Sequence, residues 1–158
     1  MKKISLVLSA TLAILFAIPA ADLGAVEGKA TREECMAKCK EAAGMLKQIG
    51  RETALKKLND KNGPFVWKDS YVLCIDIGTG AVLAHPMLPN VVGKMSQKFK
   101  DANGKLFAVE YILVAKSKGE GWISYVWPKP GEKKPSPKIS YVYEVPGENV
   151  IMVAGIYE

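Results

Sequence analysis

Asn59-Asp60-Lys61-Asn62-Gly63-Pro64 splits this sequence into two parts that obey different periods. A run of turn-forming residues ending in Gly-Pro stops any helix and admits no strand through it. Before it, Thr31-Arg32-Glu33-Glu34 reads as a capping box, with Thr31 at the N-cap and Glu34 reaching back to its backbone N–H. Cys35, Cys39, Ala42, Leu46 and Ile49 then recur at spacings of four and three, which lays one apolar stripe along a helix. Gly50 interrupts it, and Ala54, Leu55 and Leu58 continue a second helical stretch.

After the breaker the pattern is that of strands. Phe65-Val66-Trp67 and Tyr71–Ile77 are rich in aromatic and β-branched residues. Gly78-Thr79-Gly80 turns the chain into a returning strand, Ala81–His85, which Pro86 and Pro89 end. Gly93–Lys100 favours neither state, and Asp101-Ala102-Asn103-Gly104 is expected to cap a helix from Lys105 to about Ser117, stopped by Gly119 and Gly121. Trp122–Trp127 is expected as a strand, Pro128–Pro137 as a loop, and Lys138–Val145 and Val150–Tyr157 as strands joined at Pro146-Gly147. Hairpin joints make these last strands antiparallel. The fold class is therefore α+β: an antiparallel sheet with a long N-terminal helix and a mid-chain helix across one face.

Residues 1–21 stand apart from this body. Lys2 and Lys3 precede an uncharged run from Ile4 to Ile18, and Pro19, Ala20 and Ala21 follow, which is the layout of a signal peptide. The cut is expected after Ala20 or Ala21, or as late as Ala25; an uncleaved anchor is the alternative, and only then would the protein contact a membrane. The leader implies a periplasmic or secreted protein. The formal net charge is +6, two of its lysines lie in the leader, and the only arginines are Arg32 and Arg51. Nucleic acid is excluded as a partner, because no basic face is gathered. The lone histidine, His85, rules out any two-histidine metal centre.

A set of segments carries a family resemblance. They are Phe65-Val66-Trp67, Ala84-His85-Pro86, Gly93-Lys94, Asp101-Ala102-Asn103-Gly104-Lys105, Gly119-Glu120-Gly121-Trp122, Tyr125-Val126-Trp127-Pro128, Pro137-Lys138-Ile139-Ser140-Tyr141 and Ala154-Gly155-Ile156-Tyr157. In number, order and spacing, residues 29–158 resemble a single Cache domain of the second type, a PAS-like extracytoplasmic sensor module of chemoreceptors and sensor kinases. The resemblance implies binding of a small organic ligand, expected to be a short carboxylate. Such receptors continue into a membrane span and an output module, whereas this sequence stops at Glu158. The expectation is thus a stand-alone binder that hands its ligand to a separate membrane receptor or sensor kinase. A protein-interaction module with no small ligand is the alternative.

A carboxylate site needs a cation, hydrogen-bond donors and an apolar wall. Tyr125 and Trp127, two apart, share a strand face. With the resemblance, Lys138 is expected as charge partner, Tyr125, Tyr71 and His85 as donors, and Trp127 and Trp67 as walls. Tyr141 and Tyr143 share a face with Ile139 and are expected on the core side. No catalytic residue, metal site or cofactor is expected: glycine-rich phosphate loops are absent, and neither Ser124 nor Ser140 has a base near it in sequence. Cys35 and Cys39 lie one helical turn apart on the inward stripe. Either Cys39 or Cys35 bridges Cys74, or all three are small buried apolar groups; a redox role would need exposed thiols.

Overall fold

The structure is a computed structural model that describes residues 28–158. The leader read over residues 1–21 lies outside the described residues. Helices α1 (Arg32–Ile49) and α2 (Arg51–Leu58) precede strands β1 (Val66–Trp67), β2 (Ser70–Asp76) and β3 (Val82–Ala84). After two single turns of 3-10 helix come α3 (Phe107–Lys118), β4 (Glu120–Pro128), β5 (Pro135–Val145) and β6 (Val150–Tyr157). The sheet runs β1-β2-β6-β5-β4, with β3 also on β2, and every pairing is antiparallel. This is the α+β architecture expected from the sequence.

The capping box forms as read. Thr31 Oγ1 accepts from Glu34 N at 3.2 Å, and Thr31 N donates to Glu34 Oε2 at 2.9 Å. Gly50, at φ 79°, breaks the helical run with a backbone conformation that other residues resist. Period two along the strands sends alternate residues to opposite faces and creates two cores. On one face Cys35, Cys39, Ala42 and Leu46 of α1 pack on Val72, Cys74, Tyr141, Met152 and Ala154. On the other, Phe107, Tyr111, Ile112 and Ala115 of α3 pack on Ile75, Ile123, Tyr125, Val142, Ile151 and Val153. Tyr141 lies on the α1 side with Tyr143 against it, as anticipated.

The structure decides one open reading, that of the cysteines, and corrects two expectations. The thiols of Cys35, Cys39 and Cys74 are all buried and free, so the helix-to-strand bridge is not formed. Burial pushes Cys74 up to about 12 and Cys35 up to about 11, which suppresses the thiolates that disulfide exchange or a redox role would use. The first correction is that Pro135–Pro137 belongs to β5 rather than to a loop. The carbonyl of Pro137 accepts from Glu158 N, just past the end of β6, so its side of β5 has lost its partner strand and a missing N–H there costs nothing. Lys138 is thus the fourth residue of β5, not its first.

The other correction concerns Asp101, whose turn does not cap α3. Leu106 holds that position without a side-chain bond. Asp101 Oδ1 instead accepts from Asn103 N and Lys105 N, both at 2.9 Å, and Oδ2 from Val126 N at 3.0 Å. Lys105 Nζ meets Ser124 O at 2.6 Å. These bonds occupy outward-facing groups of the edge strand β4, which would otherwise be open to another chain. Burial raises the carboxyl of Asp101, but the three backbone N–H bonds outweigh it and hold the group below the usual carboxylate range. Replacing Asp101 with alanine leaves those donors unserved; it should lower stability by about 1–3 kcal/mol in urea unfolding. An unchanged midpoint would show that the clip is idle.

Candidate functional site

Tyr125 of β4 stands opposite Lys138 of β5, and Lys138 stands opposite Tyr157 of β6. Cross-strand partners point to the same face, so the register lays a lysine between two tyrosines on the α3 side of the sheet. Tyr71 joins them from β2. Gly155 completes the row below. A Cβ built there would come within 2.7 Å of Lys138 Cε, so a bare glycine is what lets the lysine stem lie across β6.

The lysine is 4% exposed, yet none of the ion pairs among the described residues includes it. Its Nζ donates to Tyr157 OH at 3.1 Å and to Tyr71 OH at 3.4 Å. It also sits 4.5 and 4.6 Å from the ring centres of the same two tyrosines. Tyr157 OH in turn donates to Pro128 O at 2.8 Å. Burying an ammonium costs several kcal/mol, and a desolvated cation–π contact returns about 2. The rings and hydroxyls offset the cost only in part: burial pulls Lys138 down to about 7, and the upward pull of the Asp69 carboxylate is smaller.

Beside this cluster lies a small cavity of about 40 Å³. Tyr71, His85, Tyr125 and Trp127 line it, four of the six residues named as ligand contacts. Lys138 is the fifth, and it backs the wall rather than forming it: the ring of Tyr71 covers its amine. The sixth is a correction. Trp67 pairs with Ser70, whereas Val66 pairs with Tyr71, so alternation turns the indole to the α1 face. There Trp67 lines a shallow surface hollow with Glu34 and Lys38.

His85 follows β3 directly, with its ring 4.9 Å from that of Tyr71. Leu88 N donates to its Nδ1 at 3.0 Å, which places the imidazole proton on Nε2 and leaves that nitrogen a donor. Burial pulls its pKa down to about 3, and the charge on Lys138 adds to the pull.

Sequence reasoning missed the far wall. Phe107 stacks on Tyr125 at 4.5 Å and 8°, and Tyr111 meets the same ring edge-on at 5.9 Å. Their i,i+4 spacing at the start of an apolar helix was the available signal. Tyr157 and Gly155 were visible only as part of a closing segment. Two further lining hydroxyls, Ser96 Oγ and Tyr111 OH, are buried with no hydrogen-bond partner. Outside, a cleft of about 270 Å³ shares Tyr71, Leu88 and Trp127 with the cavity and reaches the surface along residues 128–132.

A cavity between a sheet and a crossing helix, walled by aromatics and backed by one buried cation, is the setting in which small-molecule pockets are commonly built. The chain belongs to the family described as Single Cache domain 2, whose profile matches residues 22–158. It is 28% identical over 89 residues to the methyl-accepting chemotaxis protein McpP of Pseudomonas putida, an alignment taking in 56% of this chain and 16% of that receptor. It thus spans a small part of the curated relative's length. A solved Cache chemosensory domain, described for its carboxylic acid recognition, superposes with a TM-score of 0.70 at 28% identity, over 79% of this chain and 91% of that one. A methyl-accepting chemotaxis protein from Vibrio parahaemolyticus gives 0.67 at 25% identity, over 79% and 86%. A periplasmic sensor domain of a chemotaxis protein gives 0.63 at 25%, over 79% and 88%. The chain is a sensor domain by family.

The depressed histidine makes an acid test. Unfolding releases His85 to its ordinary value near 6.5, so the unfolded chain binds the proton first and stability is lost as pH falls from about 6.5 toward 3. In urea melts at pH 7, 5 and 4, His85→Gln should lose less stability on acidification than the parent. Parallel losses would mean that His85 is protonated without cost in the folded state.

Proposed function

We propose that this domain binds a short organic acid reversibly, with the carboxylate held beside Tyr71 and Lys138. The observation that carries the reading is a buried lysine with hydroxyl partners and no carboxylate. An anion entering at Tyr71 meets an ammonium one hydroxyl away and supplies the charge the fold withholds. Tyr71 accepts from Lys138 Nζ and so has its own O–H to give. His85 offers Nε2–H, and Tyr125 shares its hydroxyl with Ser140 at 3.0 Å.

Size supports a small ligand. A cavity holds one water per roughly 10–15 Å³, so about 40 Å³ takes on the order of three, the bulk of an acid with a few heavy atoms. The unpartnered hydroxyls of Ser96 and Tyr111 favour a polar occupant over a purely apolar one. The carboxylic acid recognition described for the similar Cache domain agrees with this choice. The leader layout of residues 1–21 and the periplasmic neighbours favour action outside the cytoplasm, with a membrane receptor or sensor kinase as the partner that reads the bound state. Binding, not chemistry, is the function.

Thermal melts of the purified protein against acetate, propionate, lactate, succinate, ethylamine and alanine separate this reading from an interaction module. An acid at a hundred times its dissociation constant should add about 2.7 kcal/mol, seen as a raised midpoint. Lys138→Met should fold and lose that response. No shift with any acid, or an equal shift in the methionine variant, would refute the reading.

A further inference from the structure

The groups that face Lys138 Nζ from the elements around it are neutral side chains apart from one carboxylate, Asp69. Tyr71 on β2 and Tyr157 on β6 bond it, and Tyr125 stands opposite on β4. His85 follows β3, Cys35 comes from α1 and Asp69 from the turn between β1 and β2, while Tyr111 of α3 stands against the ring of Tyr125. Burial pushes Tyr125 up to about 12 and Tyr71, Tyr111 and Tyr157 above their ordinary values, so the hydroxyls stay protonated at neutral pH. Cys35 is likewise a neutral thiol and His85 a neutral imidazole. Asp69 is the one anion of the set, and its Oδ1 is engaged by Ala30 N at 2.7 Å.

We propose that the site takes up a proton with its acid: Lys138 is a neutral amine in part of the free population, and the arriving carboxylate completes its conversion to an ammonium. This rests on the short-acid reading above. The geometry that carries it is an Nζ closed off by two aromatic faces and two hydroxyls, with no carboxylate on it. A tyrosine hydroxyl serves either state, accepting from an ammonium or donating to an amine lone pair, so the pocket tolerates both. A carboxylate tolerates only the ammonium beside it. The balance is simple: carboxylate, proton and amine give a carboxylate–ammonium pair, and the only bond formed is N–H. Burial drawing the free lysine to about 7 places the exchange within the neutral range.

The sign follows from linkage. Below about pH 6.5 the free lysine already holds its proton, and affinity should be flat. Above about 7.5 each binding event must collect a proton from solvent, so affinity should fall by up to about tenfold per pH unit. A sensor built this way reports acid and proton together.

Two measurements on the purified protein test it. In the free state, the Lys138 side-chain carbon resonance, identified by its absence in Lys138→Met, should titrate near pH 7. Calorimetric titration with acetate and propionate at pH 7.5, in two buffers of different ionisation enthalpy, should show uptake of more than half a proton per acid bound. Titration of the free lysine above pH 9, or an affinity that is flat from pH 6.5 to 9, overturns the coupling and leaves acid binding intact. Failure of every acid to bind overturns both.

Discussion

Lys138 sits opposite Tyr125 on one neighbouring strand and Tyr157 on the other, and the rest of the site follows from that register. A slip of one residue in β5 would turn the lysine toward α1 and bring Ile139 to the α3 face. The hairpin between β5 and β6 keeps the pairing in step from Val145↔Val150 to Lys138↔Tyr157. Gly155 leaves room for the lysine stem, and β4 is clipped by Asp101. The fold places one charge in the middle of a sheet and surrounds it with rings.

That placement explains the division of labour between the two faces. The α1 face is closely packed, with small and aliphatic groups, three buried free thiols and the rings of Phe65 and Tyr141. The α3 face is aromatic and incompletely filled, and holds the hydroxyls left without partners. The cavity left there is lined mainly by apolar side chains, and the hydroxyls of Tyr71, Ser96, Tyr111 and Tyr125 add a few polar groups to it. In the proposed reading, a small anion would meet the charge and the hydroxyls that the fold leaves without partners.

Much of this was legible in the sequence, and the rest was hidden for physical reasons. The capping box, the break at Gly50 and the strand periods depend on neighbours in the chain, so Thr31, Gly50 and Tyr141 were read correctly. Family resemblance pointed to Lys138, Tyr71, His85, Tyr125 and Trp127. Composition did not separate Trp67 from them, because its face depends on a two-residue turn whose register it does not reveal. Asp101 was misjudged for a similar reason: its third acceptor bond goes to Val126, far along the chain. Prolines 135 and 137 suggested a loop, since their missing donors matter only where a partner strand exists. Long-range pairing decided each of these.

A crystal structure grown with a bound short acid, acetate or propionate, tests the central claim most directly. The account predicts the carboxylate in the cavity, hydrogen-bonded to Tyr71, with the Lys138 ammonium one hydroxyl away. An acid bound elsewhere, out of reach of Tyr71, would contradict it.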